Sequence, residues 1–387
     1  MNSRPIYLDH QATTPVDPRV REAMLPWLTE NFGNAASLHH EYGRQAAQAV
    51  ERAREQIAEL LHVDSASVIF TSGGTESNNL AIKGVMRRSP PGSHLIVNSA
   101  EHRAVLDPAR VLQREGFELT VLPVDGEGRV NPQDVVNALR PTTVLVSVMA
   151  ANNEVGTLNP LREIGEICRA AKVWMHCDAA QLGGKLLLNL SDLPIDLLSL
   201  SGHKLYGPQG IGALFIRRGD RRIALRPLVD GGGHEQRLRS GTLPVALIVG
   251  LGKACAVAQQ ESVVESRRLL ELADRLWNSL KSRISGIHLN GPWPDRLPGN
   301  VHVSFEGISG DALLASLTDV AASSGSACTS ADPEPSHVLR AMGVSEALSL
   351  ASLRFGIGRF NTEEEIDRAV DHVATQVVKL RLGSQSA

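Results

Sequence analysis

Between residues 68 and 216, short apolar runs alternate with stretches of helical periodicity. Val68-Ile69-Phe70 precedes a predicted helix over 75–87, and Leu95-Ile96-Val97 precedes another over 105–113. Further strands are predicted over 119–122, 144–149, 173–176, 196–200 and 213–216. Strands of this length separated by helices read as βαβ units, hence a mostly parallel sheet covered on both faces. Upstream, Val50, Ala53, Ile57 and Leu60 recur at spacings of three and four, the buried stripe of one helix.

Beyond about residue 245 the pattern changes. Leu269, Leu272, Leu276, Leu280 and Ile284 mark one apolar face of a long helical region. Strands are predicted over 301–305 and 353–357, with a short helix near 311–317 between them. A closing helix carries Ile366, Val370, Val373, Val377 and Leu380. The expected fold class is α/β: a large, mostly parallel domain over 15–250, and a smaller α+β domain combining 1–14 with 251–387.

Composition narrows the function classes. A chain of 387 residues with 42% hydrophobic content can bury a large core. Charge is nearly balanced at a formal −3 and no run of Lys or Arg stands out, which argues against direct binding of nucleic acid. No segment approaches the roughly 20 apolar residues that cross a bilayer, so no membrane association is expected. The N-terminal stretch reaches Asp9 and His10 without a signal-peptide core, and a cytoplasmic location is the default. Cys168, Cys177, Cys255 and Cys328 are too few and scattered for a disulfide framework, and no zinc-type spacing occurs, so no metal is expected.

Three segments carry chemistry. In Ser199-Leu200-Ser201-Gly202-His203-Lys204, a lysine follows the end of a predicted strand, where open α/β sheets form ligand crevices. Lysine amines form Schiff bases with carbonyl cofactors, although a surface lysine in a turn fits this segment equally well. Cys177-Asp178-Ala179-Ala180-Gln181 places a carboxylate at another strand end, where it could pair with a pyridinium nitrogen or simply cap a helix. Thr71-Ser72-Gly73-Gly74-Thr75-Glu76 turns a strand into a helix through two glycines. Helix N–H groups beside a hydroxyl there make a phosphate seat, or Thr75 is only an N-cap.

The chain also contains Tyr7-Leu8-Asp9, Ala12-Thr13-Thr14-Pro15, Glu101-His102, Asn152-Asn153-Glu154 and Arg239-Ser240-Gly241-Thr242. Ser323-Ser324-Gly325-Ser326-Ala327-Cys328-Thr329 and the stretch from Arg354 to Phe360 follow. With these, the sequence resembles the fold-type I enzymes that depend on pyridoxal 5'-phosphate (PLP). Within them it is similar to the NifS/IscS-like cysteine desulfurases of the class V aminotransferase family, from Tyr7 to about Leu380.

The resemblance implies roles residue by residue. Lys204 would bind PLP and move protons. His102 would stack on the cofactor ring, Asp178 would pair with its nitrogen, and Gln181 would bond its phenolic oxygen. Thr75, Ser201 and His203, with the Gly74 region, would hold the phosphate. Thr242 would reach the phosphate of a partner subunit's cofactor, which implies a homodimer. Asn153 and Arg354 would grip the carboxylate of L-cysteine. Cys328 would take the sulfur as a persulfide and release alanine. Sulfur-acceptor proteins, either an iron–sulfur scaffold or a sulfur carrier, would follow, serving iron–sulfur cluster assembly or tRNA thiolation.

Cys168 and Cys255 fall in apolar helical patterns and Cys177 beside Asp178, so these three are expected to be inert packing residues. His10, Gln11 and Ala35 stand where many relatives differ. Relatives often continue past the last helix with a tail that helps dock a scaffold protein, and its apparent absence here leaves that particular contact open. Selenocysteine lyase shares the scaffold, an aminotransferase would need no nucleophilic cysteine, and a non-catalytic descendant would have no use for Lys204, Asp178 and Cys328 together.

Overall fold

The computed structural model describes residues 4–182, 184–219, 221–324 and 335–384. A seven-stranded sheet runs in the order Val68–Thr71, Gly212–Ile216, Leu197–Ser201, Trp174–Asp178, Thr143–Ser147, His94–Asn98, Glu118–Leu122. Only Gly212–Ile216 is reversed, pairing antiparallel with both neighbours. The α/β class and the mostly parallel sheet are therefore as expected. Every residue of Val68–Thr71, His94–Asn98 and Leu197–Ser201 is buried. Strands buried on both faces read as unbroken apolar runs rather than alternating ones.

Helices cover the sheet from either side. Helix Glu41–Leu61 presents Val50, Ala53, Ile57 and Leu60, as its periodicity predicts, and ends at His62 in the left-handed conformation. The longest element, helix Val245–Arg283, lies against it. The two helices are in tight contact at Gly252, where an added Cβ would stand 2.6 Å from the Cα of Ala53. Only glycine fits there.

A second core lies beyond the sheet. Strands Ser352–Gly356, Asn300–Phe305 and Ile287–Leu289 form a three-stranded antiparallel sheet. Helices Gly310–Ser316 and Glu363–Ser384 belong to the same part of the chain. Two short strands absent from the sequence reading, Ile6–Tyr7 and Val320–Ala321, pair in parallel and bring the N-terminal segment here. Helix Val245–Arg283 enters both cores: Ile248, Leu251 and Ala254 pack beneath the large sheet, whereas Leu269, Leu272 and Leu276 pack with Val303, Phe305 and Leu353.

The parallel strands all end on one edge, at Thr71, Asn98, Ser147, Asp178 and Ser201. The chain leaves each strand there through a loop or turn, and those departures build the site.

Candidate active site

A cavity of about 550 Å³ opens along this edge. Lys204 reaches it from a single 3₁₀ turn, Gly202–Lys204, that follows the strand Leu197–Ser201 directly. Its Nζ donates to the carbonyls of Gln11 and Ala12, the latter at 2.7 Å. Thr14 fastens the same N-terminal segment to the turn, donating to the His203 carbonyl and accepting from the Tyr206 N–H, each at 2.9 Å. The amine thus faces the cavity across a strap of backbone. Gln11, Ala12 and Thr13 line the cavity too, although the sequence reading gave them no role.

Asp178 closes the neighbouring strand and is 5% exposed. Its Oδ2 accepts from Asn78 Nδ2 at 2.6 Å, and its Oδ1 accepts from the Ala180 N–H at 2.9 Å. Among the described residues no helix follows directly, so capping is not its task. Asn78 was missed because it lies 100 residues away in sequence; the only local signal is two adjacent asparagines in a helix, a poor helix-forming pair.

In Thr71-Ser72-Gly73-Gly74-Thr75, Thr75 does not cap the helix that follows. Gly73 is the N-cap of helix Gly74–Met86, and no side chain caps the helix. The first-turn N–H groups have no intrahelical acceptor and stand at the cavity wall. Ser201 faces Gly74, so closely that a Cβ at Gly74 would lie 3.3 Å from the Ser201 side chain. Glu76 accepts from the Ser72 N–H and pairs with Arg239 at 3.1 Å.

His102 caps helix Arg103–Arg114, its Nδ1 accepting from the Ala104 N–H at 3.0 Å. Burial lowers its pKa, and Lys204 and His337 push it the same way against Asp178. The neutral ring therefore keeps its proton on Nε2 and offers an N–H there. Glu101 beside it is fully buried and accepts from the Met149 N–H at 2.6 Å; burial and the charge of Asp178 raise its pKa well above the usual carboxylate range. His203 accepts or donates through Nδ1 to Thr13 Oγ1 at 3.0 Å, and burial brings its pKa down to about 4.

At the far end stands Arg354, on strand Ser352–Gly356. It reaches the cavity beside Asn153, whose carbonyl accepts from Nη1 at 2.8 Å. Its Nη2 donates to Asp9 Oδ1 and Ser323 Oγ, both at 2.9 Å. Neither Asp9 nor Ser323 was assigned a role from sequence.

Gly74, Thr75, Gln181, Ser201 and His203 line the same wall as Lys204 and Asp178. Thr242 does not; it is exposed, outside this cavity. Cys328 lies outside the described residues. The remaining cysteines are buried, and burial raises Cys168 and Cys255 to about 12, which suits inert packing groups.

The donor set can be tested against PLP. Asn78 Oδ1 and Gln181 Oε1 are buried on this wall without a hydrogen-bond partner, which is costly unless a ligand supplies one. With an anion seat at a helix start, a carboxylate for a ring N–H and an amine on one cavity, the residues fit the cofactor.

Comparison with known proteins agrees with this geometry. The aminotransferase class-V family model matches residues 6–369, and the chain belongs to that family. A protein of Anaeromyxobacter sp. (strain Fw109-5) named cysteine desulfurase IscS is 52% identical over 97% of this chain and 93% of its own length. One of Rickettsia akari with the same name is 50% identical over 97% and 92%. Within the family, then, the chain falls among the cysteine desulfurases, which are enzymes. Among solved structures, a NifS-like protein superposes with a TM-score of 0.90 at 35% identity, covering 97% of this chain and all of that one. DndA from Streptomyces lividans gives 0.77 at 39%, over 92% and 98%.

Proposed function

We propose that this chain removes sulfur from L-cysteine with bound PLP, forming L-alanine and a persulfide on Cys328. The observation that carries the proposal is the convergence of the Lys204 amine, the Asp178 carboxylate and the Arg354 guanidinium on one cavity. PLP would serve as the electron sink that makes the substrate's α-carbon acidic and its Cβ–S bond weak.

The chain's own residues do the rest. Helix Gly74–Met86, Thr75, Ser201 and His203 seat the phosphate, and Asp178 holds the ring nitrogen protonated. The Gln181 side-chain amide would hydrogen-bond the phenolic oxygen. Lys204 anchors the cofactor and carries a proton to and from the substrate carbon. His102, which lines the cavity with its N–H on Nε2, would stack on the cofactor ring. Asn153 and Arg354 fix the substrate's carboxylate. The Cys328 thiolate attacks the substrate sulfur, so an S–S bond forms as the Cβ–S bond breaks. The electron pair left on Cβ takes up a proton to give alanine. Cysteine and one enzyme thiol become alanine and one enzyme persulfide, with no further oxidant needed.

Thr242, exposed beyond this cavity, serves the phosphate of a second copy's cofactor in a homodimer. The persulfide passes to an iron–sulfur scaffold or a sulfur carrier in the cytoplasm, for cluster assembly or tRNA thiolation. Alanine and sulfide are measured from L-cysteine and a thiol reductant, without a keto acid, in wild type and Cys328→Ala. Equal amounts in wild type and none in the variant are expected; unchanged turnover in the variant removes Cys328 from the chemistry.

A further inference from the structure

Arg354 is engaged before any substrate arrives. Nη1 donates to the Asn153 carbonyl, Nη2 donates to both Asp9 and Ser323, and Nε is buried with no acceptor. A guanidinium has two edges that take both oxygens of a carboxylate, Nε with Nη2 and Nη1 with Nη2. Both edges use Nη2, and both of its hydrogens are spent. A carboxylate that binds in a fork must therefore replace either Asp9 or Ser323.

The two partners differ in what release costs. Asp9 is an anion with its side chain 18% exposed. Letting go would leave it unpaired beside a second carboxylate, the costly way to break a buried ion pair. Ser323 is neutral and its hydroxyl can rotate to another acceptor. Its place in the fold does not depend on that contact. Its backbone exchanges two hydrogen bonds with Arg354, at 2.7 and 3.3 Å.

We propose that the substrate's carboxylate displaces the Ser323 hydroxyl from Arg354 while Asp9 keeps its hold. Ser323 is thus a positioning residue. It holds the guanidinium hydrogen that the carboxylate takes over, and Asp9 keeps the guanidinium aimed throughout. Ser323 also precedes Cys328 in the same stretch of chain. This inference rests on the reading of Arg354 as the carboxylate site.

The test is calorimetric titration of the holoenzyme with L-alanine, and with ethylamine, which lacks the carboxylate. Ser323→Ala removes the competitor and is expected to bind L-alanine about fivefold tighter, equivalent to about 1 kcal/mol. Ethylamine binding stays unchanged, and Ser323→Thr, which keeps the hydroxyl, returns the wild-type affinity. A merely structural serine would not separate the two ligands. L-alanine bound equally or more weakly by Ser323→Ala, at an unchanged melting temperature, overturns the displacement. Should Ser323→Ala melt early, Ser323→Thr binding L-alanine more tightly than wild type overturns it instead. Arg354→Gln checks the underlying reading separately: if it does not weaken L-alanine relative to ethylamine, the carboxylate binds elsewhere.

Discussion

At the Lys204 end of the cavity, each polar group is delivered by the last residues of a strand or the turn just after it. Asp178, Ser201, Lys204 and the Gly73–Gly74 turn stand in register because their strands are hydrogen-bonded neighbours or near neighbours. At the Arg354 end, the guanidinium gathers segments distant in sequence: the Asp9 carboxylate, the Asn153 carbonyl and the Ser323 hydroxyl. The first end inherits its geometry from the sheet. The second holds its geometry by a few charge-assisted bonds, which a ligand can exchange. A site that must fix a cofactor for many turnovers, yet take and release a substrate at each one, gains from both constructions.

That contrast can be broken first at Lys204. Lys204→Ala is expected to cut alanine formation at least about 10³-fold with the fold intact by circular dichroism; a variant that keeps its turnover would mean the reacting end has been misplaced. Arg354→Lys comes next. Losing the fork should raise KM for L-cysteine roughly 10- to 100-fold, as a lost bidentate pair implies, and change kcat far less. The reverse split, with kcat falling and KM constant, would remove Arg354 from carboxylate recognition.

The rigid end is sharpened at Glu235, which lies in the left-handed run Glu235, Gln236, Arg237. Its carboxylate pairs with buried Arg54 at 2.8 Å and accepts from the Phe70 N–H at 2.6 Å, just before the anion seat. Glu235→Gln leaves Arg54 only the exposed carboxylate of Glu51, at 3.2 Å, and should cost about 3 kcal/mol, read as a fall of several degrees in melting temperature. A melting point within a degree of wild type would show that the seat stands without this anchor.

The smallest effect expected is a pH dependence. His176 bridges Ser147 Oγ and Ser199 Oγ across three strands, and burial brings its pKa down to about 4. Between that value and the ordinary 6.5, the unfolded chain takes up a proton that the native one refuses. The contribution is full above 6.5 and is lost as the pH falls towards 4. Between pH 7.5 and 5.5 this amounts to about 1 kcal/mol. Melting temperatures at these two pH values should therefore differ less in His176→Gln than in wild type; an equal difference would mean the imidazole titrates normally.

How much of this was legible depended on distance along the chain. All seven strands of the large sheet were readable: most are buried apolar runs, and the helices between them carry a regular stripe. Lys204 and Asp178 stood out for the same reason, as polar residues at the ends of such runs. Arg354, Asn153 and His102 came only through family resemblance. Asp9 and Ser323 were assigned nothing, since their meaning lies in Arg354, at separations of 345 and 31 residues. The strands Ile6–Tyr7 and Val320–Ala321 were too short to show a period and exist because they pair with each other. Asn78 gave a weak signal, and its value lies in a carboxylate on another strand.

Helix Val245–Arg283 runs for 39 residues through both hydrophobic cores. A rod of that length cannot melt at one end and keep its packing at the other without breaking its own ladder midway. The two cores are therefore expected to denature together, as one calorimetric peak whose measured enthalpy equals the van't Hoff value. Loosening Leu276 in the smaller core should lower the temperature at which the large sheet comes apart.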